Sequence, residues 1–145
     1  MRPIRVAVAD DDAVFRTALV DVLEAEPGFT VVVTATSGAG FAALVAEARP
    51  DVVVLDVRMP GGGPAIVRSI LEAGGSRPPA VVAVSADSAP RTVRSMVRAG
   101  VTGYLVKGRI GATLPDLVAR IAAGEVVLAV PSAAELMAEL TEARS

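Results

Sequence analysis

Short valine-rich runs alternate along this chain with longer segments in which apolar residues recur at helical spacing, and this alternation is the strongest constraint on its fold. Strands that are valine-rich on both faces are typical of a parallel sheet covered by helices on each side. Five runs have this strand character: Ile4 to Ala9, Thr30 to Thr36, Val52 to Leu55, Ala80 to Val84 and Gly103 to Val106. The pattern therefore predicts an α/β fold, a doubly wound five-stranded parallel sheet with helices on both faces.

Five crossover helices are predicted between and after these strands, because apolar residues recur there three and four positions apart. The fourth is the weakest and runs from about Pro90 to Ala99, and the fifth runs from about Leu114 to Ala123. A sixth helix is predicted to begin at Ser132-Ala-Ala-Glu135, which is a capping-box pattern. This sixth helix lies outside the five-unit fold, so it is a surface cap, a linker or a dimer contact.

Composition excludes several kinds of chemistry. The chain has 145 residues, 52% of them hydrophobic and 3% aromatic, so one core of Val, Ala, Leu and Ile is expected. It contains no Cys and no His, which removes disulfides, thiolate metal sites and histidine catalysis. A net charge of −2 gives no basic patch, and we expect no direct nucleic-acid binding by this segment. No apolar stretch approaches about 18 residues, so no membrane segment and a cytoplasmic location are expected.

Polar residues follow four of the predicted strands, and the carboxyl ends of parallel strands meet at one edge of a sheet. The first strand ends in Asp10-Asp11-Asp12, the third in Asp56, the fourth in Ser85 and the fifth in Lys107. Singly, each has a structural explanation, since Asp and Ser often cap helices and Lys is usually solvated. Together they supply a carboxylate nucleophile, a hydroxyl, a fixed cation and an acidic cluster suited to Mg²⁺. These are the parts that phosphoryl transfer requires.

The same segments resemble the ordered motifs of response-regulator receiver domains. The match spans about residues 3 to 124, on the stretches Val6-Ala-Val-Ala-Asp10-Asp11, Val53-Val-Leu-Asp56-Val-Arg-Met59-Pro60, Val82-Ala-Val-Ser85-Ala86 and Gly103-Tyr104-Leu-Val-Lys107. The resemblance implies the flavodoxin-like fold with strand order 2-1-3-4-5. It also implies a phosphorylation-activated switch of a two-component system, whose partner is a sensor histidine kinase. Such a chain is not an enzyme, since it catalyses only its own phosphorylation and dephosphorylation.

The resemblance also assigns roles to individual residues. Asp56 is implied to be the phosphoacceptor. Ser85 would bind a phosphoryl oxygen and Lys107 would pair with the phosphate. Ser85 and Tyr104 would form the switch, in which the tyrosine fills space that the serine vacates. The residues implied to hold Mg²⁺ are Asp10, Asp11, Asp56 and, through its backbone carbonyl, Arg58.

Two stretches are similar to the receivers of LuxR-type transcription factors in particular: Gly103-Tyr-Leu-Val-Lys107 and Ala122-Ala-Gly124-Glu-Val-Val-Leu-Ala129. Such receivers continue into a linker and a helix-turn-helix domain. The resemblance thus implies a receiver domain over residues 1–124. It implies a C-terminal extension or linker helix over residues 125–145, directed toward a DNA-binding output domain that this chain does not contain. It is compatible with a homodimer.

The chain departs from the family pattern at three places. Pro64 stands where Gly is common and follows Gly61-Gly62-Gly63, which predicts a pliant loop after Asp56 and an altered helix start. Gly108 replaces the frequent Pro, so no cis-proline is expected there. Asp12 stands where LuxR-type members commonly have His, and it either tunes the metal or caps the first helix.

Two other functions stay open. A degenerate receiver with this sequence would act only as a docking module. A haloacid-dehalogenase-like phosphatase would begin with a similar Asp-x-Asp motif, but it gives Asp56 no role, and residues 108–114 lack the further acidic pair that its metal needs. The residues it would use are Asp10, Asp12, Ser85 and Lys107.

Overall fold

The computed structural model describes residues 2–144. The strands are β1 Ile4–Ala9, β2 Phe29–Ala35, β3 Val52–Asp56, β4 Ala80–Ser85, β5 Gly103–Val106 and β6 Val127–Ala129. The helices are α1 Ala13–Glu24, α2 Phe41–Ala48, α3 Pro64–Ala73, α4 Pro90–Ala99, α5 Leu114–Ala122 and α6 Ala133–Arg144. A short 3-10 turn over Lys107–Arg109 follows β5. Strands β3 and β4 extend one residue beyond their predicted ends, so Asp56 and Ser85 are the last residues of their strands.

The sheet has six strands rather than the five that the sequence predicted. Their order is β2-β1-β3-β4-β5-β6, and all neighbouring pairs are parallel. The implied order 2-1-3-4-5 is therefore confirmed and continued by β6. This strand pairs with β5, where Leu128 lies opposite Tyr104. Three residues are too few to show the periodicity of a strand, and β6 forms because β5 offers unpaired backbone groups to the returning chain.

Apolar residues on the two faces of the sheet form two hydrophobic cores. All five residues of β3 are buried; Val52 and Val54 face one core, and Val53 and Leu55 face the other, as strand alternation requires. Helices α1 and α5 cover the first face, and α2, α3, α4 and α6 contribute to the second. The predicted covering of both faces is thus confirmed.

The helices described within residues 2–144 have 8 to 12 residues. None of them has the length and apolar character that crossing a lipid bilayer requires. Helix α6 begins one residue after Ser132, close to where the capping-box pattern placed it. The capping box itself is not formed, because the Ser132 hydroxyl is buried and has no hydrogen-bond partner among the described residues.

Candidate functional site

The carboxyl ends of β1, β3 and β5 bring four charged side chains together. Asp10 and Asp56 are 2% and 3% exposed, and carboxylate oxygens of Asp10, Asp11 and Asp56 lie within 4.8 Å of one another. The Nζ atom of Lys107 lies 2.9 Å from Oδ2 of Asp10 and 3.3 Å from Oδ2 of Asp56. The acids and the lysine that the sequence placed at the ends of three strands therefore form one cluster.

The cluster holds more negative charge than its lysine neutralises. Burial raises the pKa of the Asp56 carboxyl, and the nearby Asp10 raises it further, against the backbone N–H of Arg58 and the charge of Lys107. Burial by itself would lower the pKa of the Lys107 ammonium, but its bonds to Asp10 and Asp56 reverse this and raise the pKa. The ammonium also lies 4.5 Å from the centre of the Phe15 ring. A charged lysine is thus fixed beside carboxylates whose negative charge it does not fully neutralise.

This donor set fits a hard divalent cation. Asp10, Asp11 and Asp56 offer carboxylate oxygens close enough together to bind one ion, and Asp11 is exposed to solvent. Mg²⁺ binds through one or two carboxylates and retains water molecules, which an exposed edge of the sheet permits. The cation would also relieve the repulsion that raises the pKa of Asp56.

Asp12 is not part of this cluster. Its Oδ1 accepts hydrogen bonds from the backbone N–H groups of Val14 at 3.0 Å and Phe15 at 3.1 Å, which makes it the N-cap of α1. The helix-cap interpretation of Asp12 is therefore the one that the contacts support. The phosphatase alternative would use Asp12 in catalysis and gives Asp56 no role. In the structure Asp56 lies in the cluster, whereas Asp12 caps a helix.

Ser85 and Tyr104 meet at the loop between β4 and α4. Both side chains are fully buried. The Ser85 Oγ accepts a hydrogen bond from the backbone N–H of Asp87 at 3.0 Å, and the Tyr104 hydroxyl donates to the backbone carbonyl of the same residue at 2.6 Å. Burial raises the pKa of the Tyr104 phenol. The two predicted switch residues are thus joined through one residue of the loop.

Asp87 is a site residue that the sequence did not identify. Its Oδ1 accepts from the backbone N–H of Ala89 at 2.8 Å, its Oδ2 accepts from the Thr92 hydroxyl at 3.2 Å, and it forms an ion pair with Arg58. These contacts lower the pKa of Asp87, the bond from Ala89 most strongly. An Asp just before a predicted helix signals a local Asx turn. The pairing with Arg58 is a tertiary contact and leaves no local signal.

Two substitutions at Asp87 should separate its local role from its ion pair. Asn keeps the oxygen that accepts from Ala89, so Asp87→Asn should lower the free energy of unfolding only slightly, because an ion pair at the surface contributes little. Asp87→Ala loses the turn as well and should lower the free energy of unfolding clearly more than Asp87→Asn does. Urea unfolding measures both, with Arg58→Ala as the matched control for the ion pair alone. Equal losses in the Asn and Ala variants would mean that the turn contributes nothing.

The loop after Asp56 packs against the loop between β2 and α2. The backbone N–H of Gly38 donates to the carbonyl of Pro60 at 2.8 Å. A Cβ atom at Gly38 would lie 2.1 Å from the carbonyl oxygen of Gly61, so this contact requires glycine. Helix α3 begins at Pro64, and proline is favourable at that first position. The pliancy expected for Gly61-Gly62-Gly63 stays a prediction.

Comparison with known proteins matches the response regulator receiver domain family to residues 6–121. The chain belongs to this family. It is 39% identical over 140 residues to the DNA-binding transcriptional activator DevR/DosR of Mycobacterium tuberculosis, covering 94% of this chain and 63% of that protein. It is 31% identical over 142 residues to the uncharacterized transcriptional regulatory protein YxjL of Bacillus subtilis, covering 97% of this chain and 64% of that protein. The chain thus spans a little under two thirds of the length of these relatives.

Solved structures agree with this assignment. The receiver domain of the response regulator NarL from Mycobacterium tuberculosis superposes with a TM-score of 0.80 at 31% identity, covering 86% of this chain and 100% of that chain. A LuxR-family two-component response regulator from Aurantimonas superposes with a TM-score of 0.82 at 26% identity, covering 96% of this chain and 98% of that chain. The receiver is accordingly a phosphorylation-activated switch of a two-component system with the flavodoxin-like fold. Its acidic cluster is of the kind at which receivers typically bind Mg²⁺.

Proposed function

We propose that this receiver accepts a phosphoryl group on Asp56 in a Mg²⁺-dependent reaction and transmits its state through Ser85 and Tyr104 to a transcription output. The observation that carries the proposal is the placement of Asp56. Its carboxylate ends the central strand β3, is buried, and lies within reach of one fixed ammonium and two further carboxylates. The lysine and a cation held by the acidic pair would together offset the charge of the dianionic group that this nucleophile attacks.

The metal would be held by Asp10, Asp11, Asp56 and the backbone carbonyl of Arg58. Bound Mg²⁺ would supply positive charge to the phosphoryl oxygens during transfer. Asp10 is positioned for this role by an additional bond, since its Oδ1 accepts from the backbone N–H of Asp12 at 2.8 Å. The carboxylate therefore has one oxygen committed to the loop, while its other oxygen pairs with Lys107.

In the transfer step, an oxygen of the Asp56 carboxylate forms a bond to phosphorus as the bond to the leaving group breaks. The leaving group is the imidazole of a kinase phosphohistidine or the acid of a small phosphodonor, and it departs with the electron pair of the broken bond. Lys107 stabilises the charge that spreads over the phosphoryl oxygens. Its ammonium already lies 3.3 Å from Asp56, so it needs little reorganisation.

The change of state follows from the contacts of Ser85. Its Oγ accepts a bond from the Asp87 N–H, and turning toward a phosphoryl oxygen would weaken that bond. The loop around Asp87 also holds the Tyr104 hydroxyl and the start of α4. Phosphorylation would therefore bias the position of Tyr104 and the surface of α4 together.

The partners follow from the family and from the exposed surface. We infer a sensor histidine kinase as the phosphodonor, and a contact for it on α1, where Val14, three residues after Asp11, is 81% exposed. We infer residues 1–124 as the receiver and residues 125–145 as an extension toward a DNA-binding output, in a cytoplasmic protein that forms a homodimer. Support comes from the transcription regulators that the chain resembles.

We also infer that the receiver acts on no external substrate. A methylesterase of Symbiobacterium thermophilum is 38% identical to it, but this chain covers only 36% of that enzyme.

Acetyl phosphate tests the function directly. With Mg²⁺ the intact mass should increase by one phosphoryl group, and hydroxylamine should remove it, since acyl phosphates react with that nucleophile. Chelation of Mg²⁺ should prevent the increase. Tyr104 is the single tyrosine and the chain has no tryptophan, so tyrosine fluorescence reports the switch in the same sample. A protein that takes up no phosphate under these conditions would be a docking module instead.

A further inference from the structure

A second concave site lies at the amino-terminal edge of the sheet, opposite to the acidic cluster. It is a cavity of about 400 Å³ between the ends of α2 and α3 and the segments that lead into β3 and β4. The five residues of β3 separate the two edges by roughly 16 Å, about twice the Debye length at physiological ionic strength. The charges of the acidic cluster are therefore largely screened from a ligand in this cavity.

The lining of the cavity combines positive charge with apolar surface. Arg2, Arg49 and Arg77 line it, and Asp51 is the one acid among the described residues that do so. Buried apolar residues form much of the remaining wall, and these are Val45, Pro50, Ile70 and Pro79. Cavities of this size with apolar walls and a few charged groups are typical of sites for small organic ligands.

Asp51 does not cancel the positive charge of the cavity. Its Oδ1 accepts a hydrogen bond from Nη2 of Arg2 at 2.8 Å, and its Oδ2 accepts from the backbone N–H of Arg5 at 2.9 Å. Arg2 therefore offsets the charge of this carboxylate. The exposed side chains of Arg49 and Arg77 form no hydrogen bond or ion pair with any residue that the structure describes. Two guanidinium groups at one cavity thus have no anionic partner within the described chain.

Arginines near the carboxyl end of a helix often have a structural role, because the last carbonyl groups of the helix carry partial negative charge. Arg5 has this role here, since its Nη2 donates to the carbonyl of Ala48 at the end of α2 at 2.7 Å. Arg49 directly follows α2, and Arg77 lies four residues beyond α3, yet neither side chain donates to a carbonyl of the described residues. Their N–H groups are therefore available to a ligand.

The backbone of Arg49 has a conformation that suits glycine. Its φ angle is 51°, and no other described residue except glycines has a positive φ. A residue that ends a helix in the left-handed conformation is most often glycine, because a side chain is strained there. Such strain is found where the side chain or the backbone is used in function. An arginine at this position therefore points to a use for its guanidinium group.

We propose that this cavity binds a small organic phosphate, with Arg49 and Arg77 binding the phosphate groups and the apolar wall contacting the carbon body. Guanidinium groups bind phosphate oxygens through paired N–H bonds, and two of them match a dianion in charge. The Ser76 hydroxyl also lines the cavity and supplies a further donor. The volume favours a small molecule over a macromolecule, which requires a wider contact surface. The site does not depend on phosphorylation of Asp56.

Titration of the full chain with ADP and with inorganic pyrophosphate tests the proposal. EDTA in the buffer removes Mg²⁺, so that neither probe binds through a metal at the acidic cluster. Calorimetry should show one ADP bound per chain, and bound more tightly than pyrophosphate, which has the two phosphate groups without the carbon body. ADP should also raise the melting temperature. Asp56→Asn should bind ADP with unchanged affinity, because this substitution lies at the opposite edge of the sheet.

Substitutions of three arginines separate the site from an effect of net charge. Arg77→Gln should weaken ADP binding roughly tenfold, the loss expected for one charge-assisted hydrogen bond. Arg68→Gln is the matched control, since it removes the same charge from an exposed arginine of α3 that does not line the cavity, and its affinity should be unchanged. Arg49→Gly should also weaken binding while the protein folds at least as stably, because glycine relieves the strain at this position.

Three results would overturn the proposal. The first is that the unaltered chain binds neither ADP nor pyrophosphate. The second is that Arg77→Gln and Arg68→Gln bind ADP equally well, which would reduce the attraction to net charge. The third is that pyrophosphate binds as tightly as ADP, which would leave the apolar wall without a role.

Discussion

Asp56→Asn is expected to take up no phosphate from acetyl phosphate and Mg²⁺, whereas Asp51→Asn takes up one phosphoryl group as the unaltered chain does. Asp51 directly precedes β3, and Asp56 is the last residue of that strand. Asp56 lies in the acidic cluster, and Asp51 pairs with Arg2 and the backbone of Arg5. An amide is neutral and too weak a nucleophile to attack phosphorus, so loss of the adduct should be complete.

A difference in phosphate uptake can be assigned to the site, because both variants should fold. Asn has the shape of Asp, and at position 56 it replaces a carboxyl whose pKa is raised by burial and by the nearby Asp10. At position 51 it weakens an exposed ion pair, which is worth less than about 1 kcal/mol. Intact mass measures the adduct, and circular dichroism verifies folding. An equal adduct on Asp56→Asn would assign the phosphate to another carboxylate and contradict the proposed function.

The second large effect concerns the metal. Asp11→Asn is expected to weaken Mg²⁺ binding by roughly tenfold or more, because the exposed Asp11 contributes a carboxylate to the cluster and has few structural contacts to lose. Asp12→Ala is expected to leave Mg²⁺ affinity unchanged. It should instead cost about 1 kcal/mol of unfolding free energy, since it removes the N-cap of α1. The two substitutions are therefore expected to differ: Asp11→Asn should weaken Mg²⁺ binding, and Asp12→Ala should lower stability.

Two measurements on both variants decide this. Calorimetric titration with Mg²⁺ gives the affinity, and urea unfolding in metal-free buffer gives the stability. Weakened Mg²⁺ binding in Asp12→Ala with unchanged binding in Asp11→Asn would move the metal to the other carboxylate. That result would revive the metal-tuning interpretation of Asp12.

Local patterns were sufficient for the five longer strands of the sheet and for the acidic cluster with its lysine. Helix α4 begins at Pro90 and ends before Gly100, because proline is favourable in the first turn and glycine suits the residue that ends a helix. The strand-end rule predicted that Asp10, Asp56 and Lys107 would meet, because parallel strands align their carboxyl ends whatever the loops do. Strand β2 is one residue earlier than predicted at both ends, which the uniform β-branched run could not resolve.

The sequence by itself determined the fold class, the order of the motifs and the chemistry at the strand ends, because these depend on period and residue type within short windows. Only the tertiary structure decided the rest. Strand β6, the Arg58–Asp87 pair and the burial of Leu136 of α6 in the core each join segments that are far apart along the chain or too short to carry a pattern. The capping-box prediction at Ser132 is wrong for the same reason, because tertiary packing buries the hydroxyl without a hydrogen-bond partner among the described residues. Contacts of this kind depend on which surfaces pack together in the folded chain, and no short stretch of sequence contains that information.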